Sequence, residues 1–221
     1  MAVALIYGGS GSGKTVNSTR VATKERNRNL LLCSDNSHIV LRNFDRPNLD
    51  IAVIKNYLPI KNGDDGFVKN FESNVDSKKY DNIITDNLTD LFDMAILEMD
   101  EFGVYKDMRQ GYQVVYQTLK RLVRKATQVD CDIIFTAWQI SEDFTLPDGR
   151  IIQRTRPHLP MKILDNILGL CNVVAHVETL ERDGETVWYY NYNGNAGLYA
   201  KDQLFIRKNG LPEDIFTGGK Q

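Results

Sequence analysis

The sequence is poor in the residues that build metal clusters and covalent frameworks: its 221 residues include three cysteines and three histidines. Cys33, Cys131 and Cys171 are widely spaced and odd in number, which argues against a disulfide scaffold and for buried thiols in a reducing compartment. His38, His158 and His176 stand apart from one another and from the cysteines, so no zinc-ligand spacing arises. A charge excess is missing as well. The formal net charge is −2, which argues against wholesale coating of nucleic acid and confines any such contact to a local basic patch. No apolar run approaches the ~18 residues of a membrane helix, and the first motif starts too near Met1 to leave room for a signal peptide. A cytoplasmic protein without membrane contact is expected. Internal repeats and low-complexity tracts are also lacking. With 42% hydrophobic residues, the chain is expected to form one domain over residues 1–216, followed by a flexible tail over 217–221.

What is present is a rhythm. Short apolar runs over 3–7, 30–33, 51–54, 82–85, 133–136 and 173–177 read as strands, with polar or helical stretches between most of them. That order predicts an α/β fold with a mostly parallel central sheet and helices on both faces. Helices are expected over 16–26, 66–75, 88–101 and 112–128. The last of these sets Val115, Leu119 and Leu122 against Lys120, Arg121, Arg124 and Lys125, the pattern of a solvated basic face. Residues 56–65, with Pro59, read as a loop. In the C-terminal third, turns at Pro147-Asp148-Gly149 and Arg182-Asp183-Gly184 predict two β-hairpins.

The most specific feature is Gly8-Gly9-Ser10-Gly11-Ser12-Gly13-Lys14-Thr15, directly behind the first strand. It is a complete GxxxxGK[ST] phosphate-binding loop. Glycines let successive backbone N–H groups turn inward around phosphate oxygens, and the following helix aims its positive end at the same charge. Lys14 is expected on the β- and γ-phosphates and the Thr15 hydroxyl on Mg²⁺.

Hydrolysis also needs a carboxylate for the metal and a group to position water. Residues 82–86 form a strand ending in Asp86, which is expected to hold Mg²⁺ beside Thr15; the alternative is a cap on the next helix. Asp35 ends another strand and either polarises the attacking water or serves as a turn residue. A third strand end brings Thr136, Trp138 and Gln139 to the same edge, with Gln139 a candidate γ-phosphate sensor. Arg150, Arg154 and Arg156 follow on what reads as a loop. They form either a contact for single-stranded DNA, with Phe144 or Trp138 stacking nearby, or a solvated surface.

On the phosphate loop, the 80–86 strand, Arg109-Gln110-Gly111-Tyr112 opening a long helix towards 133–137, and Ala200-Lys201-Asp202, the chain resembles phage nucleotide-binding P-loop proteins of the RecA-like ATPase class, including those of single-strand annealing and recombination. The resemblance implies that the sensor strand lies between the phosphate-loop strand and the Asp86 strand. It implies ATP as the nucleotide, an acidic water activator at Asp35 where Glu is usual, and oligomers with nucleotide between subunits. It further implies that Lys201 reaches a neighbouring subunit's γ-phosphate. Relatives often carry His-Glu or Gln where this chain has Trp138-Gln139, and their late Lys-Asp-Arg is Lys201-Asp202-Gln203 here.

Two functions follow as expectations. One is a Mg²⁺-dependent ATPase acting on single-stranded DNA in phage recombination or replication. The other is a nucleotide-controlled adaptor, such as a helicase loader or packaging accessory factor, with slow turnover and a protein partner. A kinase is the weaker reading, because no arginine-rich lid segment stands out.

Overall fold

The computed structural model describes residues 1–23, 27–58, 66–101 and 107–217. The end of the first expected helix (24–26), most of the Pro59 loop (59–65) and all but the first residue of the expected tail (218–221) lie outside the described residues. In chain order the elements are β1 (Val3–Gly8), α1 (Lys14–Ser18), β2 (Asn29–Cys33), β3 (Leu49–Val53), α2 (Gly66–Asp76), β4 (Asn82–Asp86), α3 (Leu88–Glu101) and α4 (Met108–Ala126). There follow β5 (Asp132–Thr145), β6 (Ile151–Pro157), α5 (Met161–Leu170), β7 (Val173–Arg182), β8 (Glu185–Asn191), β9 (Lys201–Asp202) and β10 (Asn209–Gly210).

The strands form one sheet in the order β10-β8-β7-β1-β5-β4-β2-β3, with β6 added to β5 and β9 to β7. The run from β7 to β3 is parallel throughout. As the resemblance implied, β5 lies between β1 and β4.

These central strands are apolar on both faces because both faces are covered. In β1, Val3, Leu5 and Tyr7 enter one core while Ala4 and Ile6 enter the other. The first core is closed by α2 to α5, with Phe71, Leu91, Leu119 and Ile163 inserted from them. The second is closed by lighter structure: Val21, Leu41 and Ile215 come from segments at or beside three 3₁₀ stretches, Thr19–Thr23, Asn36–Asn43 and Pro212–Asp214.

Three expectations need correction. The helix expected over 16–26 is α-helical only to Ser18 and then tightens into a 3₁₀ turn. Ser18 Oγ and Thr19 Oγ1 each donate to the Thr15 carbonyl at 3.1 Å, the back-bonding that competes with a regular helix. β5 does not stop at Thr136 but runs to Thr145, its second half pairing antiparallel with β6. The arginines expected on a loop therefore stand at and on a strand. Finally, α5 follows Pro160 and buries Ile163, Leu164 and Ile167, where no helix was expected. Both hairpins form. Gly149 (φ 86°) turns β5 into β6, and Asp183 and Gly184 (φ 54° and 80°) turn β7 into β8.

Candidate nucleotide site

Parallel register brings the candidate residues to one edge. Gly8 is level with Trp138, Ile6 with Thr136, and Asp86 with Cys33. This is the carboxyl edge of the sheet, where ligands of open α/β folds bind. The loop from Gly9 to Gly13 rises from β1 there. Gly13 has φ 82°, and a Cβ on it would come 2.9 Å from Trp188 Nε1 and 3.0 Å from Asn17 Nδ2, so both conformation and space require glycine.

Lys14 bends back over the loop and donates to the Gly9 and Gly8 carbonyls at 2.7 and 3.1 Å. Burial pulls its ammonium below the ordinary lysine value, and the Asp86 and Asp35 carboxylates oppose that pull. The lysine thus sits in a partly dehydrated, acidic setting.

Asp86 is the hub. Although 1% exposed, it accepts from Thr15 Oγ1 at 2.5 Å and Ser37 Oγ at 2.9 Å through one oxygen, and from Thr136 Oγ1 through the other. The cap of α3 is Asn87, whose Oδ1 accepts from the Asp90 amide at 2.8 Å. The alternative reading of Asp86 as a helix cap is therefore set aside. Thr15, Ser37 and Asp86 offer hydroxyl and carboxylate oxygens at one point, a hard donor set that suits Mg²⁺. Cys33 Sγ also lies within 4.8 Å of carboxylate oxygens of Asp35 and Asp86. A thiol is a soft donor that does not match such an ion; burial pushes this one up to about 11, and it donates to the Asp35 carbonyl.

Asp35 caps a 3₁₀ turn beside the loop. One oxygen accepts from the Ser37 amide at 2.7 Å, starting the 3₁₀ turn, and the other accepts from Asn87 Nδ2 at 3.2 Å. It lines a cavity of about 380 Å³ together with Gly11, Lys14, Thr15, Asp86 and Trp138. The larger cavity, about 550 Å³, lies elsewhere. Its size does not make it the site, because the phosphate-loop groups converge on the smaller one.

Gln139 borders the loop: a Cβ on Gly9 would lie 3.7 Å from its Nε2. Its Oε1 pairs with His176 Nε2 at 2.9 Å, and His176 Nδ1 pairs with Glu178 at 3.1 Å. Glu178 in turn accepts from Tyr189 and Asn191 of β8. Lys201 does not join this group. It is paired with Val174, which is level with Leu5 in mid-sheet, and it lines the larger cavity with Arg154, Leu198 and Tyr199.

The three arginines part company. Arg150 is exposed and paired with Asp148 at 2.8 Å. Arg154 lies over the Phe144 ring and donates to the Ala196 carbonyl at 2.9 Å. Arg156 is buried, grips Glu142 at 2.7 and 2.9 Å, and donates to the Leu159 carbonyl. A surface role for Arg156 is thereby corrected: it shares its face of β6 with Arg154 but stands at the end of the strand nearer the sheet, where Glu142 and the Leu159 carbonyl hold it.

With this geometry established, comparison with known families is decisive. A model described as an AAA domain matches residues 2–204. The chain belongs to the AAA domain family. This AAA domain is a P-loop ATPase by class. The comparison with curated proteins gave no match. Among solved structures it is similar to a KaiC-like protein from Pyrococcus horikoshii OT3, with 13% identity over 86% of this chain and 77% of that one and a TM-score of 0.48. It is also similar to the flagellar accessory protein FlaH from Methanocaldococcus jannaschii, with 12% identity, 94% and 83% coverage and a TM-score of 0.47. No helix among the described residues is long and apolar enough to cross a membrane.

The sequence did not single out Ser37, Asn87, His176 or Glu178. Ser37 carries no motif. Asn87, directly before a helical run, was legible as a cap.

Proposed function

We propose that this AAA domain binds MgATP at the Gly8–Thr15 loop and hydrolyses it slowly. The observation that carries the reading is the hydrogen bond between Thr15 and Asp86 at the mouth of the loop, with Lys14 and Asp35 lining the same cavity. Loop amides and Lys14 bind the phosphates, while Thr15 and Asp86 hold the ion. Magnesium held by Thr15 and Asp86 would supply positive charge to the phosphates. Asp35 accepts a proton from the attacking water, whose oxygen bonds to the γ-phosphorus as the bond to the ADP oxygen breaks. Its hydrogen bonds with Ser37 and Asn87 orient the carboxylate, and an Asp where the resemblance has the longer Glu supports slow turnover. Gln139 senses the γ-phosphate in this reading, with its place beside Gly9 as the support. Nucleotide between subunits of a homo-oligomer, with Lys201 serving a neighbour's site, belongs to the same reading and has the resemblance as its support.

Two uses of the energy are distinguished by one assay. Handling of single-stranded DNA is supported by Arg150, Arg154 and Phe144 on the β5–β6 hairpin. The adaptor reading is supported by the internal pairing of Arg156 and the −2 net charge. ATPase activity is measured with and without single-stranded DNA: strong stimulation favours DNA handling, and indifference favours the adaptor. Absence of magnesium-dependent turnover under both conditions overturns the hydrolytic reading.

A further inference from the structure

A second cavity, about 390 Å³, adjoins the triphosphate site. It is lined by Val16, Asn17, Arg20, Phe44, Arg46 and Trp188, and Val16 borders both cavities. It lies on the β8 side of the loop, whereas Asp86 and Gln139 lie on the β4 and β5 side. Its walls are aromatic: Trp188 is half-buried, and Phe44 is 39% exposed. The Arg46 guanidinium lies 5.5 Å from the Phe44 ring centre, and Arg20 is paired with Glu213 at 3.0 Å.

Among the described residues, two buried hydrogen-bonding groups in this wall have no partner. Neither amide atom of Asn17 is bonded, although the residue is 1% exposed, and Arg46 Nε is likewise unpaired. Leaving such groups unsatisfied is costly, so a ligand that bonds them is favoured. Both belong to residues lining a space of the size that receives small ligands.

We infer that this cavity seats the nucleoside half of the nucleotide, its base lying against Trp188, with the Asn17 amide and Arg46 Nε available to ribose and base. The chain-order position of Val16 requires this direction. A triphosphate whose γ end faces Asp86 runs back along the start of α1, and its nucleoside emerges beside Val16 and Asn17. Trp188 also packs against Gly13, so the wall of the cavity and the phosphate loop form one unit. The β7–β8 hairpin thus acquires a role as the base wall.

The inference rests on the nucleotide reading, and the test separates the two. Binding of ATP and of inorganic triphosphate, each with magnesium, is measured by calorimetry on the wild type and on Trp188→Ala. The wild type is expected to bind ATP more tightly than triphosphate. Trp188→Ala is expected to weaken ATP about tenfold, the loss of one base stack, and to leave triphosphate unchanged. Equal wild-type affinity for the two ligands, or equal weakening of both by the substitution, overturns the base wall and leaves the phosphate site standing. Binding of neither ligand overturns both.

Should Trp188→Ala fail to fold, Trp138→Phe leaves Trp188 as the one tryptophan, since the sequence has two. Its emission is expected to change with ATP and not with inorganic triphosphate. Unchanged emission at saturating ATP overturns the inference.

Discussion

Thr15 Oγ1 donates to Asp86 Oδ2 at 2.5 Å, joining the first residues of α1 to the end of β4 across the mouth of the phosphate loop. The two residues are 71 positions apart, and this contact makes a glycine loop and a strand-end acid into one centre. Asp86→Ala is expected to lower magnesium-dependent turnover about 100-fold or more, measured by phosphate release against magnesium concentration. Wild-type turnover in this variant would exclude Asp86 from the site.

Lys14 is buried, and its charge is disfavoured in the free protein. Lys14→Met is therefore expected to leave thermal stability equal to or above that of the wild type while lowering ATP affinity at least about tenfold. Thermal melts with and without MgATP check both halves, because bound ligand raises the wild-type midpoint and should not raise that of the variant.

Asp35→Asn keeps an oxygen that can accept from the Ser37 amide and removes the proton acceptor. Binding of ATP is expected to persist while single-turnover hydrolysis falls about 100-fold. Normal hydrolysis would reduce Asp35 to the cap of its 3₁₀ turn.

Arg207 Nε donates to Asp202 Oδ2 at 2.6 Å, and the Asp202 side chain is fully buried. Burial alone would raise the Asp202 carboxyl, but Arg207 and the Phe205 and Arg207 amides outweigh it and hold the group below the ordinary range. A depressed folded value contributes stability that is present above the unfolded value near ~3.9 and is lost as pH falls through the folded value. Asp202→Ala is expected to cost about 3 kcal/mol at neutral pH. The gap to the wild type should start to narrow as pH falls below about 3.9 and shrink further through the folded value, as followed by urea melts across pH.

Arg156→Ala leaves Glu142 and the Leu159 carbonyl without a donor. Glu142 is 38% exposed, so the pair is discounted for solvent and the expected loss is about 2 kcal/mol. Single-stranded DNA affinity should track Arg150→Ala and Arg154→Ala instead, measured by fluorescence anisotropy at fixed salt. Equal effects of all three substitutions would contradict the buried placement of Arg156.

Local chemistry made much of this legible. The phosphate loop is contiguous, so its glycines, Lys14 and Thr15 announce themselves, and apolar runs such as Leu30-Leu31-Leu32-Cys33 mark strands buried on both faces. The Asp-Gly turn at Asp183-Gly184 marked its hairpin for the same reason. Arg156 was misplaced because its burial comes from the pairing of its end of β6 with Ile140, which follows only once β5 is known to run past Thr136. The early end of α1 depends on hydroxyl back-bonding by Ser18 and Thr19, which a scan for Gly and Pro does not detect.

By itself, then, the sequence determined that a phosphate-loop motif follows a buried strand in a parallel α/β sheet, because those signals are set by neighbouring residues. Only the tertiary structure decided which distant side chains meet there. Inserting β5 between β1 and β4 lets Thr136 donate to Asp86, and folding β8 back over the loop lays Trp188 on Gly13. Register and crossover are properties of the packed sheet, in which each strand is positioned by apolar contacts on both faces.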